Sequence, residues 1–323
     1  MKVTVVTVTY GNRYIYLSQV IEACIKQFVD KIIIVSNGSE ESALKQLKQL
    51  SVANNCIKLI DLEENTGSAN GFYQGLKEAH NSGAEFIWIL DDDNKPLENA
   101  LLELKMFWQT NTLSNKESAL LSYRKDREIF KKAIQSSNPY FMLGTRNSFL
   151  GFSVLSKLKK ILFKDNVYYN PDITHGKVAV APYGGLFFHS NLIDEIGLPD
   201  KDFFLYADDH DFSYRITQGK GEIILVLKSE LEDLETSFHL KKSKSILNTR
   251  YFGTDSKKAI FYSVRNNVFF EKKFRNNILL YNCNKITYLI LLFIIMIFNP
   301  RNFWKFSVII NAINDSKKFK END

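Results

Sequence analysis

Residues 1–90 alternate short β-branched runs, each closed by polar turn residues, with stretches whose apolar positions recur at helical spacing. Val3–Thr9 ends at Tyr10-Gly11-Asn12 and is followed by a helical pattern over Leu17–Phe28. Lys31–Val35 closes at Ser36-Asn37-Gly38-Ser39 before a second helical pattern over Ser42–Leu50. Cys56–Leu62 breaks at Asn65-Thr66-Gly67, Ala69–His80 reads as a third helix, and Phe86–Leu90 as a fourth strand. Strand and helix alternating at this spacing predict an α/β fold, a mostly parallel sheet flanked by helices. In such a sheet ligands bind beyond the carboxyl ends of the strands. The polar loops Thr9–Asn12, Ser36–Ser39, Asn65–Gly67 and Asp91–Asn94 are therefore expected to converge on one cleft.

The 323 residues, 45% hydrophobic and 24% charged, suffice for one large or two modest domains. Cys24, Cys56 and Cys283 lie far apart without a CxxC pair, which supports neither a disulfide framework nor a zinc module and fits a reducing compartment. The amino terminus reads as a strand, since threonines interrupt its apolar stretches where an export signal would be continuous. Net charge is +6, but residues 240–323 hold 16 Lys/Arg against 5 Asp/Glu, while the rest is acidic on balance. A carboxylate-rich body suits metal or catalysis, and a basic tail suits an anionic surface. From Asn111 to Pro171 the pattern loosens and is expected to form a cover over the cleft. Beyond it, Leu186–His189 reads as a strand and Asn191–Ile196 as a short helix.

Trp88-Ile89-Leu90-Asp91-Asp92-Asp93 sets three carboxylates directly after a buried strand. Like charges so close raise one another's pKa values unless a cation neutralises them. Alternate residues of an extended segment point the same way, so Asp91 and Asp93 can share an ion while Asp92 turns elsewhere. Hard oxygen ligands select Mg²⁺ or Mn²⁺. An Asp-rich turn capping the helix that begins near Leu97 is the competing reading.

The ordered set TYGNR, SNGS, ENTGSANGF, WILDDD and FLYADDHDF resembles the family-2 glycosyltransferases of the GT-A fold, which pass a sugar from a nucleotide diphosphate to a hydroxyl with inversion. ENTGSANGF joined to the triple Asp is similar to bacterial galactofuranosyltransferases and their rhamnosyltransferase relatives, over about residues 1–270. The resemblance implies a GT-A, Rossmann-like sheet and a metal held by Asp91 and Asp93, with Asp92 facing the donor. It places Thr9, Tyr10 and Asn37 at the nucleotide and Asn65 and Gly67 against the diphosphate and sugar. Ser36 stands where many relatives carry Asp.

Inversion needs a base beside the acceptor hydroxyl. The family motif carries this role to Asp209 in Asp208-Asp209-His210-Asp211, with Asp208 holding the acceptor and a helix starting at Phe212. A helix-capping cluster is the competing reading, and Asp211 fits it. The resemblance further implies that His239 completes the metal shell, and that Tyr262 and Arg265-Asn266 match a Tyr-x-x-Arg-Asn element in which Arg265 meets a phosphate or solvent.

Ile286–Phe298 is an uncharged run of thirteen residues flanked by Lys272, Lys273, Arg275 and Lys285 on one side and Arg301, Trp304 and Lys305 on the other. A spanning helix needs about 20 residues, so docking at an anionic leaflet is the expected mode. A core helix of a small C-terminal domain, or a dimer contact, is the alternative. The scattered basic residues form no nucleic-acid recognition element, so no nucleic-acid partner is expected.

Together these readings divide the chain into a nucleotide-sugar-binding half (1–110), an acceptor-binding and catalytic half (111–270) and a basic, apolar, membrane-associating region (271–323). They imply a metal-dependent hexosyltransferase using Mn²⁺ or Mg²⁺, cytoplasmic and peripherally attached to the inner face of the plasma membrane. UDP-galactofuranose is the expected donor and dTDP-rhamnose the second choice; the expected acceptor is a lipid-linked or surface-polysaccharide glycan of the O-antigen or capsule kind. A nucleotidyltransferase should open with a Gly-rich, basic phosphate loop, which TYGNRYIY is not. A non-catalytic glycan- or membrane-binding module has no need of two acidic clusters.

Overall fold

The β-branched run at the amino terminus forms the central strand of a sheet whose alternating side chains feed two cores. In the computed structural model, which describes residues 1–162, 168–235 and 253–319, strand β1 is Val3–Gly11. It is followed by α1 (Tyr14–Lys26), β2 (Lys31–Ser39), α2 (Glu41–Ala53), β3 (Ile57–Leu62), α3 (Ser68–Asn81) and β4 (Phe86–Asp91). Then come β5 (Asn94–Pro96), α4 (Ala100–Thr110), β6 (Ser118–Arg124), α5 (Glu128–Gln135) and α6 (Val154–Leu162). After these lie β7 (His175–Val178), β8 (Leu186–His189), α7 (Leu192–Ile196), α8 (Asp208–Gln218) and β9 (Glu222–Asp233). Three helices follow: α9 (Lys257–Phe274), α10 (Ile278–Ile297) and α11 (Phe303–Asp315). The described residues belong to two compact units, one drawn from Met1–Met142, Tyr168–Phe204 and Asp208–Thr236, the other from Leu143–Val167, Leu205–Ala207 and Ser237–Asp323.

The first unit is a nine-stranded sheet in the order β3-β2-β1-β4-β8-β6-β9-β5, with β7 also paired to β9. The expected parallel half is present: β2 and β4 flank β1 in parallel, with Val5 opposite Ile32 and Trp88, and β3 runs parallel beside β2. Strand β8 then runs antiparallel between β4 and β6, and β9 runs parallel to β6. Because strand side chains alternate, Val6, Val8, Ile33, Val35, Ile87 and Ile89 enter one core with Phe72 and Leu76 of α3. Val3, Val5, Ile32, Ile34, Trp88 and Leu90 enter the other with Leu17 and Ile21 of α1 and Leu104 of α4.

Several boundaries differ from the sequence reading. The segment expected as a cover contributes β6, whose residues Ser118–Arg124 are all buried inside the sheet. Its polar side chains masked an otherwise ordinary strand. Ser36–Ser39 continues β2 instead of leaving it, and α8 begins at Asp208, so the acidic cluster forms the helix's first turn rather than preceding it.

The second unit packs α9, α10 and α11 against Phe149 and Phe152 around Val264, Tyr288, Leu292 and Ile309. Buried polar groups are paired within it. Asn284 accepts from Val154 N–H at 3.0 Å and donates to Asn147 O at 2.8 Å, and Glu271 accepts from Leu150 N–H and Tyr281 O–H. The apolar run is part of a helix of 20 residues, longer than its uncharged stretch.

Helix α3 lies close against β1 because Gly71 and Gly75 present no side chain there; a Cβ on Gly75 would stand 2.5 Å from Val6 Cγ1. Gly75→Val should therefore cost about 1–3 kcal/mol through overpacking. It should lower the urea midpoint of unfolding, and an unchanged midpoint would mean that α3 has room to move away.

Candidate active site

The carboxyl ends of β1, β4, β6 and β9 gather a set of acids and two arginines. Near the end of β1, the buried hydroxyl of Thr9 donates to Asp92 Oδ2 at 2.7 Å. Arg13, at the start of α1, donates from Nε to both oxygens of Asp92 at 3.0 and 2.8 Å, and its remaining nitrogens reach Asp93 (3.4 Å) and Glu235. Arg124, the last residue of β6, is 6% exposed; its guanidinium grips Asp233 at the end of β9 and donates to Asp91 Oδ2 at 3.2 Å. Neither arginine stands out in the sequence, because an arginine is usually solvated. The available signal was the carboxylate excess itself, which demands fixed cations somewhere in the same unit.

Asp92 is thus held by Thr9 and Arg13, while Asp91 keeps about a third of its side chain exposed (36%). Burial raises the pKa values of all three carboxyls. For Asp91 and Asp92 the neighbouring arginine pulls back down. Asp93, beside both of these acids, is pushed up to about 6.

Asn94 donates to Asp93 Oδ1 at 3.0 Å and to Asp233 Oδ1 at 2.7 Å, leaving its own Oδ1 buried without a hydrogen-bond partner. A Cβ at Gly184 would overlap both Asn94 Oδ1 and Asp91 Oδ2, so only glycine lets the chain pass there. Hard oxygens with incompletely balanced charge are the donor set that Mg²⁺ or Mn²⁺ takes, through one or two carboxylates completed by phosphate and water. Asp91 and Asp93 fit such an ion. Among the described residues no three His, Cys, Asp or Glu side chains close on one point. His239 lies outside the described residues.

The second and third loops are locked together. Asn37, buried at the end of β2, donates to Gly67 O at 2.9 Å and accepts from both the backbone and the hydroxyl of Thr66. Asn65 Oδ1 accepts from Gly67 N–H at 3.0 Å, and Gly67, at φ +86°, lies against the Phe204 carbonyl. Ser36 donates to Asp61 Oδ1 at 3.2 Å. The half-exposed ring of Tyr10 lies 5.2 Å from the Arg13 guanidinium.

The second acidic cluster faces the first. Asp91 lies within electrostatic reach of Asp209 and of Asp208. Asp208 is buried, accepts from Ser68 Oγ at 3.2 Å, and has its pKa raised by burial and by Asp209. Asp209 is half-exposed. Asp211 faces Arg215 one turn on, at 3.6 Å, as a helix-start acid does. The approach to this pair is strained, with Phe204, Tyr206 and Ala207 all at φ between 60° and 70°. Within the second unit, buried Asn266 donates to the carbonyls of Leu205 (2.7 Å) and Tyr206 (2.9 Å). Arg265 is buried there as well, with its Nε donating to Asn266 Oδ1 and its guanidinium 3.7 Å from Asp315.

Two open concavities of about 540 and 800 Å³ lie elsewhere, lined by neither acidic cluster. Converging polar chemistry, not cavity size, marks this site.

Between the ordinary carboxylate range and about pH 6, the folded chain holds a proton on Asp93 that the unfolded chain releases. Stability of the metal-free protein should therefore fall as pH rises through that window. Asp93→Asn should flatten this slope in urea titrations between pH 4.5 and 7; equal slopes in the two proteins would remove Asp93 as the strained acid.

Among curated proteins, the chain is similar to galactofuranosyltransferase GlfT1 of Mycolicibacterium smegmatis, 23% identical over 219 residues. That match covers 67% of this chain and 65% of the relative, just under two thirds of its length. Among solved structures, it resembles the mannosyltransferase PcManGT of Pyrobaculum calidifontis in complex with GDP-Man and Mn²⁺ (TM-score 0.54, 12% identity, covering 99% of this chain and 76% of that one). It also resembles GalNAc-T7 with UDP, GalNAc and Mn²⁺ (TM-score 0.55, 14% identity, covering 83% of this chain and 47% of that one). The sheet with its flanking helices is the GT-A fold of these neighbours. With residues 4–166 matching the family model for glycosyl transferase family 2, the chain belongs to that family.

Proposed function

We propose that this chain is a metal-dependent, inverting glycosyltransferase that moves galactofuranose from UDP-galactofuranose to a hydroxyl of a lipid-linked or surface-polysaccharide glycan at the inner face of the plasma membrane. The observation that carries the reading is the meeting of two acidic clusters with different surroundings. Asp91 and Asp93 sit at a strand end with unbalanced charge, and Asp209 sits half-exposed at a helix start within electrostatic reach of Asp91. The likeness to GlfT1 supports the choice of galactofuranose.

Asp91 and Asp93 would hold a divalent cation, whose chemistry is to offset the charge on the departing diphosphate. Thr9 and Arg13 fix Asp92 toward the donor, with Tyr10 beside it. Asn37 presents the Asn65–Gly67 loop to the diphosphate and sugar. Asp209 accepts the proton of the acceptor hydroxyl as its oxygen bonds to the anomeric carbon. The bond from that carbon to the diphosphate oxygen breaks on the opposite face, and the nucleoside diphosphate leaves with the electron pair. Asp208, pinned by Ser68, sets the start of α8 and with it the acceptor side of the site.

Asp209→Asn should keep the fold and UDP affinity while lowering turnover by about 10²–10⁴-fold, the usual loss for a general base. Asp208→Asn should mainly raise the acceptor concentration required. Assays with UDP-galactofuranose, dTDP-rhamnose and UDP-hexoses name the donor by which one is consumed. Normal turnover in Asp209→Asn with a dead Asp208→Asn moves the base by one residue. Full activity in both reduces the cluster to a helix cap.

A further inference from the structure

Helix α10 has two faces of opposite use. Tyr281, Asn284, Tyr288, Leu292 and Met296 are buried in the core of their own unit. The other face carries Ile286, Ile290, Phe293, Ile294 and Ile297 in solvent and ends at Phe298, 85% exposed. No charged residue lies between Lys285 and Arg301. An uninterrupted apolar stripe of this kind marks a contact surface.

At the amino-terminal end of α10 the chain gathers cations, with the Arg275 guanidinium 5.0 Å from the Tyr281 ring and Lys285 Nζ 6.0 Å from the Phe149 ring. Lys272 donates to Ser316 O at 2.6 Å and so brings the end of α9 beside the end of α11. Arg275 follows the first and Lys317 the second, and Lys285 lies two turns into α10. Among the described residues none of these last three pairs with a carboxylate. The Lys285 pKa is pushed down by its half-burial and by the charges of Lys317 and Arg275. Folding by itself gains nothing from assembling like charges next to an exposed apolar stripe, whereas an anionic interface offsets both.

We propose that the outer face of α10, flanked at the helix's amino-terminal end by Arg275, Lys285 and Lys317, docks this chain on an anionic lipid leaflet, the helix lying in the plane of the interface. At 20 residues α10 is long enough to span. Its inner face, however, is held by the unit's own core, and Asn284 is hydrogen-bonded on both sides to the 147–154 segment. Crossing the bilayer would break these bonds, while lying flat keeps them. A second copy of a chain with net charge +6 would bring cations against cations. This inference deepens the inner-membrane location proposed above and is independent of the transfer chemistry.

The test uses the full chain, since deletion from Asn282 onward would remove Tyr288, Leu292 and Met296 from the core. Sedimentation with phosphatidylcholine vesicles, with and without phosphatidylglycerol, should show binding to the anionic vesicles that weakens with salt. Arg275→Gln/Lys285→Gln/Lys317→Gln should weaken it about a hundredfold. Ile290→Ser/Phe293→Ser should abolish it at exposed positions that leave the core untouched. Both variants should keep the wild-type thermal melt and donor hydrolysis. Undiminished binding by both variants, resistance of the bound protein to alkaline extraction, or a dimer in light scattering that the serine variant dissolves while vesicles are not bound would each overturn the proposal. Loss of donor hydrolysis in the wild type with vesicle binding intact would count against the enzymatic reading alone.

Discussion

Carboxylates crowded at one end of a buried sheet repel one another, and the rest of the first unit is arranged around that repulsion. Asp91, Asp92 and Asp93 leave β4 together, Asp233 ends β9 beside them, and Asp208 and Asp209 open α8 within reach. Two arginines keep the fold from paying the full electrostatic cost. Arg13 spans Asp92, Asp93 and Glu235, and Arg124 spans Asp91 and Asp233. A guanidinium can do this because its planar fork serves two carboxylates at once, which an ammonium cannot do in fixed geometry. Removing either arginine would leave buried acids uncompensated, a far larger loss than the net worth of the ion pairs themselves. The Asp93 pKa is held up at about 6 by burial and by the two acids beside it, and in the proposed reading a divalent cation would offset that crowding.

The loops beside the acids are fixed by hydrogen bonds and close steric fit. Asn37 ties the end of β2 to the Thr66-Gly67 turn, and Gly67 lets that turn close against the Phe204 carbonyl. The same carbonyl accepts from Ala69 N–H at 3.3 Å, so the start of α3 and the segment before α8 share one anchor. Left-handed Phe204, Tyr206 and Ala207 then turn the chain sharply into Asp208 and Asp209. Such backbone is costly, and it persists where its surroundings hold it.

Where local pattern decides structure, the sequence was legible. Runs such as Ile32–Val35 and Phe86–Leu90 are buried on both faces, and the helices between them show the expected spacing. Strand β6 was not legible, since Ser118, Ser122 and Arg124 break its apolar pattern and are buried for reasons that lie in other strands. Ser122, for example, meets Ser229 of β9 at 2.9 Å. Arg13 and Arg124 were hidden for the same reason: their partners stand far away in sequence. The acids themselves were conspicuous because like charges in a row demand an explanation from the sequence alone. The apolar run near the carboxyl terminus was visible, but its helix extends through polar Asn282, Asn284 and Lys285, of which Asn284 faces inward onto backbone groups.

The central claim is that Asp91 and Asp93 together convert a cation into affinity for a nucleotide diphosphate. Calorimetric titration of UDP with and without Mn²⁺ tests it in the wild type, Asp91→Ala and Asp93→Ala. The wild type should bind UDP more tightly with Mn²⁺, and both variants should lose that gain while still unfolding cooperatively. A Mn²⁺-dependent gain that survives unchanged in both variants would contradict the claim and place the cation elsewhere.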